Sequence, residues 1–270
     1  MASRCRRRYG GLLVDIDGVV WRGGKPIGEN VEGINALRGE GARIVFVTNN
    51  ATRSRRLYAR MLTEALGWSV APDHVVTSAY ALAEAARRRY GELRVYVVGG
   101  PGLVEELAAA GHLVVTEQEA DACTLDAVAV GLDWEVTYSK IRRVVKALLS
   151  CRTLFLVANE DPAIPVEDGI APGAGSIVRA IVTASGREPD MIAGKPSSVI
   201  AEEALRRLGL APEQVLVVGD RADTDVEMAR RVGADSLLVE TGVPHGKTVE
   251  PEPTYRYSNI LEFARLPVCS

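Results

Sequence analysis

The sequence predicts an α/β protein built on a parallel sheet. Short apolar runs rich in Val, Ile and Leu alternate with helix-length amphipathic stretches, which is the pattern of βαβ units. The clearest buried strands are Gly11–Ile16, Ile44–Thr48 and Val215–Gly219, and each ends in a cluster of polar residues. Ligands of open parallel sheets bind beyond the carboxyl ends of the strands, so these clusters are expected to converge on one crevice.

Amphipathic stretches with a helical period predict the helices. These stretches are Val31–Glu40, Arg55–Leu66, Tyr80–Tyr90, Val104–Ala110, Tyr138–Leu149, Ser176–Ala184, Ser198–Leu208 and Asp225–Val232. Gly209 follows one of them at the position where a left-handed cap residue is favoured. Thr224, followed three residues later by Glu227, has the pattern of a capping box and predicts that the last helix begins there.

A second α/β unit is predicted inside the chain. Further strand patterns occur at Arg94–Gly99, Asp126–Val130 and Thr153–Ala158, with helical stretches between them. We therefore predict a first domain made of residues 1–93 and 190–270, interrupted by an inserted domain at 94–189. No internal repeat accompanies this organisation.

Composition and charge narrow the function classes. A hydrophobic share of 47% with 25% charged residues is ordinary for a globular enzyme, and the net charge of -3 gives no reason to expect nucleic acid as a partner. The basic start, Arg4–Arg8, leads into Gly11–Val20, which contains two aspartates and is too short and too charged for a signal peptide or a membrane span. We therefore expect no membrane partner.

The cysteines suggest neither a disulfide framework nor a zinc site. They are scattered, with no CxxC pair and no histidine at metal-ligand spacing: Cys5, Cys123, Cys151 and Cys269. An intracellular, reducing compartment fits this pattern, and we expect the protein in the cytoplasm.

The strongest chemical signal is the segment Asp15–Val19, where a buried apolar strand ends. Residues separated by one lie on the same side of an extended strand, so Asp15 and Asp17 can both face the crevice until Gly18 turns the chain. As a bare pattern, two nearby acidic residues are also compatible with a solvated turn.

Three further polar clusters follow in the chain, and each is weak alone. Thr48-Asn49-Asn50 could bind phosphoryl oxygens or form an ordinary turn, and Lys195 could be a solvated loop lysine. Asp220–Asp225 is an acidic loop after an apolar strand, and alone it could be only the charged start of a helix, whose dipole is favourable to acidic residues.

Together and in this order, the four clusters resemble the four motifs of the haloacid dehalogenase superfamily. The stretches DIDGVVWRGG, FVTNN, ANEDPAIPVEDGIAPGAG, GKPS and GDRADTD are similar to the branch that contains NagD, pyridoxal phosphatase, phosphoglycolate phosphatase and 4-nitrophenyl phosphatase. The resemblance covers nearly the whole chain. It implies a Rossmann-like core with an inserted α/β cap domain, and an Mg²⁺-dependent phosphatase that acts on a small phosphorylated metabolite.

The resemblance also assigns roles to residues. It makes Asp15 the nucleophile that forms an aspartyl phosphate, and Asp17 the acid and base. Lys195 supplies a fixed positive charge. Thr48, Asn49 and Asn50 would hold phosphoryl oxygens. The implied Mg²⁺ ligands are the Asp15 carboxylate, the Asp17 backbone carbonyl and Asp220, and Asp225 is either a group that holds a metal-bound water or only a helix-start residue.

Other interpretations stay open at this stage. A phosphotransferase or mutase of the same superfamily would use the same Asp15 and Asp17, and a phosphometabolite-binding protein without turnover would keep the fold. In the cap, Asn159 and Asp161 match the family's pattern, but cap residues vary with substrate within the branch. The resemblance also implies that a homodimer could form through the cap.

Overall fold

The computed structural model describes residues 5–166, 169–246 and 248–269. Arg4 of the basic start and Glu167 and Asp168 of the long cap stretch lie outside the described residues. The strands are, in chain order, β1 Gly11–Asp15, β2 Trp21–Arg22, β3 Lys25–Pro26, β4 Arg43–Thr48, β5 Val75–Thr77, β6 Arg94–Val98, β7 Leu113–Val115, β8 Ala127–Val130, β9 Leu154–Val157, β10 Ala163–Val166, β11 Gly169–Pro172, β12 Met191–Ile192, β13 Val215–Gly219, β14 Asp235–Val239 and β15 Tyr255–Tyr257.

Helices alternate with these strands. They are α1 Gly28–Gly39, α2 Arg55–Leu66, α3 Ser78–Tyr90, α4 Pro101–Ala109, α5 Tyr138–Ser150, α6 Ala174–Ser185, α7 Ser198–Leu208, α8 Glu227–Val232 and α9 Ile260–Ala264. Among the described residues, no helix has both the length and the apolar character needed to cross a membrane.

The chain forms two compact units, and the first consists of residues 1–48, 58–76 and 195–270. Its main sheet has the strand order β15-β14-β13-β1-β4-β5. β1 pairs in parallel with β13 on one side and with β4 on the other. All five residues of β1 are shielded from solvent, as expected for a strand with a neighbour on each side.

The second unit consists of residues 49–57 and 77–194. Its sheet has the order β12-β9-β8-β6-β7, with parallel pairing throughout, and a separate antiparallel hairpin is formed by β10 and β11. The apolar faces of α5 and α6 cover strands β8 and β9 through residues such as Val144, Phe155 and Ile181. The predicted class, a Rossmann-like parallel-sheet core with a further α/β unit, is confirmed. The domain bounds at 94 and 189 stay a prediction.

The helix predictions agree with the structure at the strongly periodic segments. Arg55–Leu66 and Ser198–Leu208 have the predicted bounds, and Gly209 adopts the left-handed cap conformation with φ 63°. The predicted capping box at Thr224 is wrong. Residues Ala222–Val226 form a π-helical turn, and α8 follows from Glu227 without a side-chain cap. Thr224 is buried inside that turn, where its hydroxyl lies 3.4 Å from a carboxylate oxygen of Asp225.

The expectation that the cysteines form no disulfides is also wrong. Cys5 is bonded to Cys269, and Cys123 to Cys151. The first pair meets because the backbone of Arg6 pairs with the segment before Cys269, whose N–H donates to the Arg6 carbonyl at 2.8 Å. A contact across 264 residues of sequence leaves no local spacing signal. The expected cytoplasmic location, which was argued from unpaired cysteines, stays a prediction.

A close approach between α1 and α9 gives a test of this packing. A Cβ added to Gly33 of α1 would lie 2.6 Å from the carbonyl carbon of Ile260, whereas one added to Gly39 of the same helix would meet nothing within 4 Å. We expect Gly33→Ala to lower the free energy of unfolding by about 1–3 kcal/mol because α9 must move. Gly39→Ala is the matched control and should be neutral or stabilising by up to about 1 kcal/mol. Chemical denaturation measures both, and equal effects would contradict the packing.

Candidate active site

Three polar positions lie together at the carboxyl edge of the first unit's sheet. Asp15 is the last residue of β1, Thr48 is the last residue of β4, and Asp220 directly follows β13. The register aligns these ends, because Asp15 lies opposite Val47 and the preceding Val14 lies opposite Val218. All three polar side chains are buried.

Lys195 connects two of the carboxylates at this edge. Its ammonium group donates to Asp15 Oδ1 at 2.5 Å and to Asp225 Oδ1 at 2.7 Å. The three side chains are each less than 10% exposed. Charge-assisted hydrogen bonds in such a low-dielectric setting are strong and hold both partners in place.

The buried carboxylates form an acidic cluster. Oxygens of Asp15, Asp220 and Asp225 all lie within 4.8 Å of one another. Burial raises the pKa of Asp15 well above its usual range; Lys195 opposes this, and Asp225 and Asp220 add to it. Burial and the nearby charge of Asp225 raise the pKa of Asp220 to about 6. Burial alone would lower the pKa of Lys195, but attraction to Asp15 and Asp225 outweighs it and leaves the pKa above its usual value.

This cluster fits a divalent cation. Its donors are carboxylate oxygens, the ligand type that Mg²⁺ takes, and the excess of negative charge would be offset by a bound cation. Two of the predicted ligands, Asp15 and Asp220, lie in the cluster, and Asp225 joins them. The predicted contribution of Asp17 is its backbone carbonyl, and it stays a prediction.

Glycines make room for the acidic side chains. A Cβ on Gly219 would overlap the Asp225 carboxyl group, and a Cβ on Gly242 would overlap that of Asp220. Gly18 has φ +87°, and a Cβ there would also collide with Asp220. Glycine is therefore required at these positions, because three backbone segments approach the carboxylates directly.

The loop after β14 holds Asp220, and the sequence analysis missed it. The Val243 N–H donates to Asp220 Oδ2 at 2.9 Å, and His245 Nε2 donates to the Asp220 carbonyl at 2.5 Å. Thr241 donates to the Gly18 carbonyl at 2.7 Å, so the same loop also fixes the turn after β1. The apolar run before Glu240, followed by Thr241 and Gly242, was the available signal for another strand end at this edge.

Asp17 differs from the other carboxylates because its side chain is exposed. Its Oδ1 accepts a hydrogen bond from Trp21 Nε1 at 2.9 Å. Trp21 lies in β2, which forms a short hairpin with β3 directly after the turn at Gly18. Asp17 is thus exposed to solvent, whereas Asp15, Asp220 and Asp225 are buried.

Asn49 and Asn50 belong to the second unit. The Asn49 amide donates to Asp161 Oδ2 at 3.0 Å, and the Asn49 carbonyl accepts from Asn159 at 2.8 Å and from Ser78 at 2.6 Å. The Asn50 side-chain oxygen accepts from the backbone N–H and the hydroxyl of Thr52, which forms a tight turn. Their predicted role as phosphate ligands stays a prediction.

Comparisons with known proteins agree with this architecture. A family model described as haloacid dehalogenase-like hydrolase matches residues 12–112, and a second model of HAD-hydrolase-like proteins matches residues 192–263. An acid sugar phosphatase from Staphylococcus aureus strain USA300 is 33% identical over 259 residues, which are 95% of this chain and 97% of the relative.

Comparison with solved structures also finds phosphatases. The p-nitrophenyl phosphatase from Archaeoglobus fulgidus superposes with a TM-score of 0.87 at 35% identity, covering 95% of this chain and 98% of that one. A structure described as a nagD protein superposes with a TM-score of 0.85 at 29% identity, covering 98% of this chain and 99% of that one. The chain belongs to the haloacid dehalogenase-like hydrolases. Within that family, the prediction of a phosphatase of the NagD-like branch is confirmed.

Proposed function

We propose that this phosphatase hydrolyses small phosphorylated metabolites, with sugar phosphates as the leading class, in an Mg²⁺-dependent reaction through an aspartyl phosphate on Asp15. The observation that carries the proposal is the buried Asp15, held on one oxygen by Lys195 within the acidic cluster. The sugar phosphatase and p-nitrophenyl phosphatase names of the relatives support the substrate class.

Asp15 would act as the nucleophile. Lys195 occupies Oδ1 of this carboxylate, so Oδ2 is the oxygen that would attack phosphorus. The new bond joins Oδ2 to phosphorus, and the bond from phosphorus to the ester oxygen breaks. The leaving alcohol oxygen would take a proton from Asp17, whose carboxyl group is exposed to solvent.

The second step would release the phosphate. Ionised Asp17 now accepts a proton from a water molecule, whose oxygen attacks the phosphorus of the aspartyl phosphate. The bond between phosphorus and Oδ2 breaks, inorganic phosphate leaves, and Asp15 returns as a carboxylate. Asp17 has regained its proton, so the catalyst is restored.

The residues proposed to hold Mg²⁺ are Asp15, Asp220 and the backbone carbonyl of Asp17, with Asp225 beside them in the cluster. The bound ion would supply positive charge that offsets repulsion between the phosphate dianion and the aspartates. Lys195 holds Asp15 and adds a second positive charge at the same place.

Thr48 and the following Asn49 and Asn50 would hold the nonbridging phosphoryl oxygens. The second unit would correspond to the cap domain that the family resemblance implies.

The first prediction tests the nucleophile. Asp15→Asn keeps the volume but removes the attacking charge, and we expect phosphate release from 4-nitrophenyl phosphate to fall about 1,000-fold or more. Asp235→Asn, at the start of β14 and therefore at the opposite edge of the sheet, is the matched control and should stay within about two-fold of wild type. Released inorganic phosphate is measured directly, because a phosphotransferase would pass the group to another acceptor. Substantial turnover by pure, folded Asp15→Asn would place the nucleophile elsewhere.

The second prediction concerns the metal. Exhaustive dialysis against a chelator should abolish turnover, and added Mg²⁺ should restore it, because the acidic cluster lacks enough positive charge without a cation. Mg²⁺ at about 100 times its Kd should also stabilise the wild-type fold by about 2.7 kcal/mol, a shift that Asp220→Asn should reduce. Thermal unfolding measures this second effect without any substrate. Full activity after chelation would contradict the assignment.

The third prediction distinguishes the proposed role of Asp17, the general acid, from that of Asp15, the nucleophile. An alkoxide leaving group needs a proton, whereas 4-nitrophenolate leaves readily without one. General acid catalysis is typically worth ~10²–10⁴-fold, so Asp17→Asn should lower kcat/KM for an alkyl phosphate by about that factor and for the aryl ester by much less.

The comparison must use kcat/KM. This constant covers steps through formation of the aspartyl phosphate, whereas kcat also contains its hydrolysis, in which Asp17 serves both substrates as the base. An equal fall for the two esters, with Mg²⁺ affinity unchanged, would show that Asp17 is not the acid.

A further inference from the structure

The side chain of Asp17 has a fixed hydrogen-bond donor in the core of the first unit. Trp21 Nε1 lies 2.9 Å from Asp17 Oδ1, and Trp21 is only 5% exposed while Asp17 is exposed. An exposed aspartate normally samples several rotamers, so a buried donor at hydrogen-bond distance restricts it.

Both the ring and the backbone of Trp21 have partners in the first unit. The indole ring stacks on Tyr58 with ring centroids 6.3 Å apart and planes 4° from parallel, and Tyr58 is itself buried in the core. The backbone of Trp21 is fixed as well, because its carbonyl accepts from Gly18 N–H at 2.8 Å and its N–H donates to the Ile16 carbonyl at 3.3 Å. The position of the indole N–H is therefore set by core packing and not by Asp17.

We propose that Trp21 is a positioning residue that orients the Asp17 carboxyl group for proton transfer. The inference rests on the proposed function, in which Asp17 is the general acid. An indole N–H can donate a hydrogen bond but cannot accept one. Asp17 Oδ1, which faces it, must therefore be the accepting oxygen in both protonation states. The proton that passes to the leaving oxygen is carried by Oδ2, and the same Oδ2 takes the proton from water in the second step.

The test removes the indole N–H of Trp21 and keeps an aromatic ring at this position. Trp21→Phe retains an aromatic surface against Tyr58 but has no donor for Asp17. A lost hydrogen bond to a carboxylate predicts a fall of about ten-fold or more in kcat/KM for an alkyl phosphate. The effect on 4-nitrophenyl phosphate should be much smaller, because that leaving group does not need the proton. A purely structural role would lower both values together.

The chain contains a matched control. Trp68 also donates from its indole Nε1 to a side-chain oxygen, that of Asn35, at 2.9 Å. Both residues belong to the first unit and lie outside the acidic cluster. Trp68→Phe should leave the ratio of alkyl to aryl kcat/KM unchanged.

A double variant shows whether Trp21 acts through Asp17. In an Asp17→Asn background the acid is already absent, so adding Trp21→Phe should produce no further loss that is specific to the alkyl ester. The contact itself can be followed without substrate, because the protein has three tryptophans and few indole N–H signals to resolve by NMR. Asp17→Ala should shift the Trp21 indole signal and leave the Trp68 signal in place.

The failures can be told apart. An unchanged alkyl-to-aryl ratio of kcat/KM in Trp21→Phe would overturn the inference while Asp17 remains the acid. An unmoved Trp21 indole signal in Asp17→Ala would do the same. If Asp17→Asn itself lowers both esters equally, the acid assignment fails and the inference falls with it.

Discussion

The structure of the first unit depends on burying three carboxylates beside one ammonium group. Asp15, Asp220 and Asp225 lie together, and Lys195 pairs with Asp15 and Asp225. Moving such charges out of water is costly unless each is paired or hydrogen-bonded. The backbone satisfies this requirement. Strand ends bring the acids together, glycines let the chain approach them, and the loop after β14 donates to Asp220. The negative charge that Lys195 does not neutralise favours binding of a divalent cation to the same cluster. The excess of negative charge therefore affects both the stability of this edge of the sheet and its affinity for a metal ion.

The aspartates therefore lie in two environments, which correspond to the different roles proposed for them. The buried ones have fixed partners and fixed positions, which suits a nucleophile and metal ligands. Asp17 lies outside this network, open to solvent on one side and held by a core tryptophan on the other. A group that must release and regain a proton in each cycle needs contact with water, whereas a group that must attack in line needs immobility.

The sequence was sufficient to predict the features that local patterns encode. The predicted strands Gly11–Ile16, Ile44–Thr48 and Val215–Gly219 correspond to β1, β4 and β13, which are neighbours in the sheet. The sequence pattern could not predict the contacts of the loop after β14 with Asp220 and Gly18, because these contacts depend on the order of the strands in the sheet. Thr224 and Glu227 match the sequence pattern of a capping box, yet Thr224 lies within a π-helical turn, beside Asp225. The assignment of Asn49 to the second unit likewise follows from contacts with Asn159 and Asp161, more than a hundred residues away in sequence.

The bond between Cys5 and Cys269 changes the topology of the molecule as well as its fold. Every residue between these two cysteines belongs to a single covalent ring closed by sulfur. A protease that cuts one peptide bond in an exposed loop would open the ring without releasing a fragment, and the two pieces would separate only after reduction. The nicked protein gains two new ends at the cut, and the disulfide between Cys5 and Cys269 becomes a covalent link between its two pieces.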